Sequence, residues 1–355
     1  VLARGTSELA DAGLGRLARV GRPPPEAVGM ELLDQPRGAD RAPLTLRIAC
    51  GDYDRTRPLV DGRIRPAGIE PTYVLEEIGQ FCHRPVYEEY DVAEMSLSWY
   101  VAARMRGEPV IAFPIFPLRM PVHGYIFCRT EAPFTKPTDL IGKRVGTLGY
   151  RYTVNLWLRG ILRDHYGVSP EQLRWFTTEE EGAGYVPPAG LDITILSGAD
   201  PEQLLLAGEV DAVFSPVVLA GIANADPRLR RLFPDARAEF VRYVAATKIV
   251  PITHTMVIGE GLFERHPWIA ESLVRAFREA QAVCDAAYRE PKYLSAPDAV
   301  FTLEAQRQAF GAQPYSHGLR PNRHVLETFV RYAYEQGYIE RIPAVDELFV
   351  PLADD

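Results

Sequence analysis

Five side chains in this sequence have the chemistry to move a proton or to hold an anion beside it. His254 stands inside the apolar run Val250-Pro-Ile-Thr-His-Thr-Met-Val-Ile258, where an imidazole must find a partner and can serve as a proton donor. Glu94 lies in Tyr90-Asp-Val-Ala-Glu-Met-Ser-Leu-Ser98 beside Ser96 and Ser98, placed either to take a phenolic proton or to cap the next helix. Arg55 and Arg119 can each grip a carboxylate through two parallel hydrogen bonds, or can pair with Asp52, Asp54 or Glu94 instead. His123, four residues after Arg119, is the reserve acid. Asp52 reads as the group that steadies Arg55 or Arg57.

The elements around them must hold these groups at strand ends. Leu46-Arg-Ile-Ala-Cys-Gly-Asp-Tyr-Asp-Arg-Thr-Arg-Pro58 runs an alternating strand into a charged tip, which marks the wall of a binding cleft. Residues 70–75 read as a second strand. Residues 90–98 read as a buried strand followed by a helix through Trp99 to Arg106, and 110–116 and 124–128 as further strands. Residues 144–147 lead through Leu148-Gly-Tyr-Arg-Tyr-Thr153 into a helical run over 154–165. The free amides at that helix entry suit a carboxylate or phosphate, with Tyr150, Tyr152 and Thr153 around the pocket. Residues 178–190 form a Glu/Gly/Pro-rich connection. Strands over 192–196 and 208–216 follow, the latter ending at Ser215, which can add one hydrogen bond to a ligand. Residues 267–289 and 323–336 are helical by their apolar spacing.

Strands alternating with helices indicate parallel pairing with crossovers, so the fold class is α/β: two hinged lobes with a cleft between them. The boundaries read as a flexible extension over 1–43, a first lobe from 44–128 and 254–355, and a second from 129–253.

With 355 residues, the chain exceeds what one core usually organises. A net charge of −8 and no Lys/Arg-rich run exclude a nucleic-acid surface, so an anion must be held by local arginines. The four cysteines, Cys50, Cys82, Cys128 and Cys284, are scattered without a CxxC pair and read as buried free thiols of a reducing, cytoplasmic setting. No run of about twenty apolar residues could span a bilayer. The seven histidines show neither HxH nor HExxH spacing, so neither a metal nor another cofactor is expected. A homo-oligomer is left open.

The phrases Cys50-Gly-Asp-Tyr-Asp-Arg-Thr-Arg57, Tyr90-Asp-Val-Ala-Glu-Met-Ser-Leu-Ser98, Phe116-Pro-Leu-Arg-Met120, Arg159-Gly-Ile-Leu162, Pro251-Ile-Thr-His-Thr255 and Gly318-Leu-Arg-Pro-Asn-Arg323 resemble those of the 4,5-dihydroxyphthalate decarboxylase family. That family is related to type II periplasmic solute-binding proteins, and the likeness runs over about residues 44–352. The resemblance implies loss of CO2 from a hydroxylated aromatic dicarboxylic acid, giving protocatechuate from 4,5-dihydroxyphthalate. Such chemistry needs an acid at the ring carbon, a base near the para hydroxyl and cations on the carboxylates. Two alternatives stand beside it. One is a non-catalytic receptor for an aromatic acid; the other is a scaffold redirected to a different ring-acid step.

Overall fold

Short apolar runs separated by helices build two mixed sheets in the computed structural model, which describes residues 42–77, 79, 84–181, 186–311 and 313–353. The extension expected over 1–43 falls almost wholly outside the described residues. So do Cys82 and the centre of the 178–190 connection.

The first sheet has the order β2 (Ile69–Leu75), β1 (Leu44–Cys50), β3 (Val92–Ser96), β11 (His254–Gly259), β4 (Val110–Phe113). β1 pairs in parallel with β2 and β3, whereas β11 runs antiparallel to β3 and β4. The second sheet has the order β10 (Leu229–Arg231), β5 (Ile126–Arg129), β9 (Ala212–Phe214), β6 (Arg144–Thr147), β7 (Arg174–Thr177), β8 (Asp192–Ile195). Its β6 to β9 strands are parallel, and β5 is antiparallel to both neighbours.

The parallel pairing expected from strands alternating with helices holds for β1 to β3 and β6 to β9, and antiparallel members join it at β11 and β5. β11 is the chain returning from the second sheet to the first, and β5 is the first strand after the outward crossing. Because β5 pairs with β9 and β10, the crossing falls before Ile126 and not at residue 128. The two crossing segments are themselves tied together: Met120 N donates to Pro251 O at 3.0 Å and Thr253 N to Leu118 O at 3.0 Å.

β3 is buried along its whole length, so its polar residues Glu94 and Ser96 had to acquire partners inside the sheet. The helix Leu97–Met105 follows immediately, taking Ser98 into its first turn and out of the strand expected over 90–98. The helix Thr153–Tyr166 buries its first ten residues and ends at Gly167, whose φ of 67° suits the left-handed cap. Its Trp157 donates from Nε1 to Ile252 O at 2.7 Å, locking the helix to the return crossing.

Two carboxyl-terminal helices close the fold. Ile269–Ala287 lays Leu273, Val274 and Phe277 on the first sheet's Leu46, Ile48 and Met256. Arg323–Glu335 packs Phe329 and Tyr332 on Trp157. The elements not expected from the sequence include β7, β10 and the helices Ala236–Thr247 and Ala299–Phe310. Cys50, Cys128 and Cys284 are free and buried.

Candidate active site

The centre of the site follows from register. His254 opens β11 directly opposite Ser96, and Met256 lies opposite Glu94. Alternate residues share a face of a sheet, so Glu94, Ser96 and His254 point the same way and Glu94 is the diagonal neighbour of His254. The Glu94 Oε1 to His254 Nδ1 distance is 2.7 Å. His254 therefore begins an apolar strand and does not interrupt one.

The loop after β1 completes the pairing. Tyr53 donates its hydroxyl to Glu94 Oε1 at 2.7 Å, and Gly51 N donates to Glu94 Oε2 at 3.0 Å. Thr56 stabilises this loop by donating to Gly51 O and accepting from Tyr53 N. Glu94 is 0% exposed and its two oxygens face three donors. The carboxylate is enclosed behind Tyr53 and His254, and its hydrogen bond to Nδ1 fixes the orientation of the imidazole. Burial first, and the Glu94 charge second, push the Tyr53 phenol far up. Tyr53 therefore stays a donor at neutral pH.

Arg55 lies on the same loop. Its guanidinium is stacked between Tyr53, 4.0 Å to the ring centroid, and Tyr315, 4.7 Å. Nε donates to Pro117 O at 2.6 Å and Nη1 pairs with Asp54 at 3.2 Å. Nη2 is buried with no hydrogen-bond partner among the described residues. A buried donor without a partner beside a catalytic-type pair is what a ligand oxygen would satisfy. Asp52 is paired with Arg57 in an exposed ion pair, one of the two partners expected for it.

Across from this group, the helix Thr153–Tyr166 supplies a hydroxyl cluster. Thr153 Oγ1 lies 2.7 Å from Ser96 Oγ and 2.9 Å from Ser98 Oγ, and it accepts from Ser98 N at 3.0 Å. Ser98 also donates to Arg151 O at 2.9 Å. These residues couple the first sheet's strand end to the second sheet's helix.

The amides at that helix entry do hold a carboxylate, but it is the protein's own. Glu181 accepts from Tyr150 N and, at 3.0 Å, from Arg151 N. Burial lifts its carboxyl above the usual range, opposed by those amide bonds. Tyr150 is fully buried, with its ring 3.6 Å from the Arg159 guanidinium and edge-on to Trp175. Tyr152 turns to Glu179, to which it donates at 2.8 Å. Neither ring is offered to a ligand in this arrangement.

Three further expected residues lie apart from the group. Arg119 donates to Val250 O, Ser316 O and Asn322 Oδ1 at 3.3, 2.8 and 2.6 Å. It staples the crossing segments to the carboxyl-terminal loop, and burial draws its guanidinium down to about 10. His123 is enclosed by Tyr166, Phe233, Phe240 and Tyr243, with neither ring nitrogen hydrogen-bonded among the described residues. Burial holds it down to about 4, so it stays neutral and packs as an aromatic. Ser215 accepts from Val217 N at 3.1 Å and shapes the turn after β9.

Among the described residues, no group of three or more His, Cys, Asp and Glu is arranged to hold a metal ion. No described helix is long and apolar enough to cross a membrane.

Over 319 residues the chain is 31% identical to the 4,5-dihydroxyphthalate decarboxylase of Comamonas testosteroni, covering 87% of this chain and 97% of that protein. The chain belongs to the 4,5-dihydroxyphthalate decarboxylase family. A second member, from Pseudomonas putida, is 32% identical over 201 residues, 54% of this chain and 78% of its own. No protein-family model matches. Among solved structures, the periplasmic aliphatic sulphonate binding protein SsuA of Escherichia coli aligns with a TM-score of 0.52 at 14% identity, covering 87% of this chain and 98% of that one. The alkanesulfonate-binding protein SsuA of Xanthomonas axonopodis pv. citri gives 0.51 at 13% identity, covering 87% and 97%. The family's fold here is thus the two-lobed, type II periplasmic-binding-protein-like α/β fold. Tyr53, which donates to Glu94, and Tyr315, which stacks on Arg55, join this group although the strand-end pattern had not singled them out.

Proposed function

We propose that the protein decarboxylates a hydroxylated aromatic dicarboxylic acid, 4,5-dihydroxyphthalate, to protocatechuate and CO2 in a cleft between its two sheets. The observation that carries this reading is the Glu94–His254 pair lying one tyrosine away from the buried, unpartnered Nη2 of Arg55. A proton donor and a carboxylate hook are then adjacent.

Arg55 takes a substrate carboxylate through Nη2 while its stacking between two rings fixes the direction of approach. Glu94 accepts a hydrogen bond from Nδ1–H of His254 and, remaining ionised, stabilises the imidazolium, so that Nε2, on the opposite edge, delivers one proton to the ring carbon bearing the departing carboxylate and leaves a neutral imidazole. A new C–H bond forms at that carbon with electrons supplied by the para hydroxyl. The C–C bond to the carboxylate then breaks, its electron pair restores the aromatic ring, and CO2 leaves. Solvent returns the proton to His254. Glu94 is a positioning residue in this scheme, and His254 the catalytic one.

Incubating the purified protein with 4,5-dihydroxyphthalate and a metal chelator tests the assignment. Release of CO2 with formation of protocatechuate is expected. A substrate that binds and is recovered unchanged would remove the assignment and leave a receptor for aromatic acids.

A further inference from the structure

Tyr315, which stacks on Arg55, also lines a cavity of about 840 Å³, and neither Arg55, Glu94 nor His254 lines it. Its walls come from the paired crossing segments, from the 3-10 turn Val122–Tyr125 that precedes β5, from β10, and from the helices Ala236–Thr247 and Ala299–Phe310. The Tyr315 ring carries the Arg55 guanidinium, and its hydroxyl donates to Arg119 O at 3.3 Å.

The charge on these walls is unusual for a protein of net charge −8. Arg119, Arg230, Arg231 and Arg237 face a single acidic residue, Asp235, whose carboxylate is occupied as the cap of Ala238 N. Arg119 and Arg230 spend their donors on neutral acceptors, chiefly backbone carbonyls such as Val250 O, Ala132 O and Phe134 O. Hydrogen bonds to neutral carbonyls satisfy the donors but leave the charge uncompensated, so the field inside the cavity is positive. Arg231 is pinned to the wall by its Nε, which donates to Gly124 O at 3.0 Å, and it keeps its terminal nitrogens for other partners. Between the cations stand the rings of Tyr125, Phe233, Phe240, Phe310 and Tyr315.

Aromatic walls with forked cations suit a flat anion, which stacks on the rings while its carboxylate meets a guanidinium. The volume lies near the upper end of the range of about 300–1,000 Å³ found for small-molecule sites and exceeds what one benzene ring fills. We propose that this chamber is a second binding site, for an extended, at least bicyclic, aromatic carboxylate. It goes beyond the decarboxylation assignment, and its test needs no turnover.

The probe is naphthalene-2-carboxylate, titrated calorimetrically into the full chain. Saturable binding is expected, weakened at least tenfold in the double variant Arg231→Gln/Arg237→Gln. Both side chains are exposed, so the variant should keep the wild-type melting temperature. Arg237→Gln alone, expected to weaken binding by a smaller factor, serves if the double variant does not fold. Affinity in the folded variant within twofold of wild type, or no saturable binding to the wild type, overturns the proposal. A protein that lacks decarboxylase activity but loses naphthalene-2-carboxylate with these arginines leaves it standing.

Discussion

Replacing Glu94 by glutamine separates the charge of this residue from its shape. The carboxylate receives Tyr53 and His254 on Oε1 and Gly51 N–H on Oε2. An amide keeps one acceptor, so with its oxygen toward Tyr53 and His254 its NH2 confronts the Gly51 N–H, donor against donor. Leaving a buried donor unpaired costs about 1–3 kcal/mol, which lowers the melting temperature without preventing folding. The catalytic effect is larger. A unit charge about 4 Å from an imidazolium in a medium of effective dielectric constant near 20 is worth about 4 kcal/mol, and relaxation of the site recovers part of it. A loss of about 2–4 kcal/mol of transition-state stabilisation lowers kcat by roughly 30- to 1,000-fold. Because Glu94 is enclosed and in the proposed scheme acts through His254, KM should change by less than about threefold. Steady-state decarboxylation of 4,5-dihydroxyphthalate, run beside a thermal melt, reads both effects. A folded Glu94→Gln protein with kcat within threefold of wild type would refute the reasoning.

Other residues give independent tests. Arg55→Lys keeps the charge but loses the planar fork and the stack between Tyr53 and Tyr315, so KM should rise about 10- to 100-fold with a smaller effect on kcat in the same assay. Gly160→Ala should destabilise the protein, although alanine is the better helix former by about 1 kcal/mol. A Cβ there would lie 2.3 Å from the Tyr332 ring, and such overpacking costs about 1–3 kcal/mol beyond that gain, read as a fall in the urea midpoint. His123 sets an acid limit on stability. Its folded value of about 4 lies below that of a free imidazole, near 6.5, so the unfolded chain binds more protons in between. Its contribution is present above pH about 6.5 and is lost as pH falls toward 4, by up to about 3 kcal/mol. His123→Phe should flatten the decline of the urea midpoint over that window. Some slope will persist, because His317, held down to about 3 by burial, titrates in the same sense.

The strands that carry the site were legible because each joins a buried apolar run to polar residues at its end, as in Leu44–Cys50 and Val92–Ser96. What stayed hidden was non-local. β7 and β10 have four and three residues and carry charged residues (Arg174; Arg230, Arg231) in place of an apolar run, so their neighbours in the sheet are what make them strands. The helix Ala236–Thr247 is capped by Asp235, yet its only fully buried residues are Phe240, Tyr243 and Val244, which makes a faint stripe. Tyr53 meets Glu94 only because β1 and β3 are adjacent, a fact that local spacing does not contain. His123 and Arg119 show the converse. Both have the right chemistry for a site, but an aromatic cage surrounds one and three acceptors already engage the other. The anion-binding amides before Thr153 were also readable, but not that Glu181, thirty residues on, would occupy them.

The most direct test of the account is turnover by His254→Ala in deuterated water, with substrate binding measured on the same sample. The account predicts that wild type places one deuterium on the ring carbon that lost CO2, and that the variant binds 4,5-dihydroxyphthalate but turns it over at least 1,000-fold more slowly. Turnover by His254→Ala at the wild-type rate, with deuterium still delivered to that carbon, would contradict it.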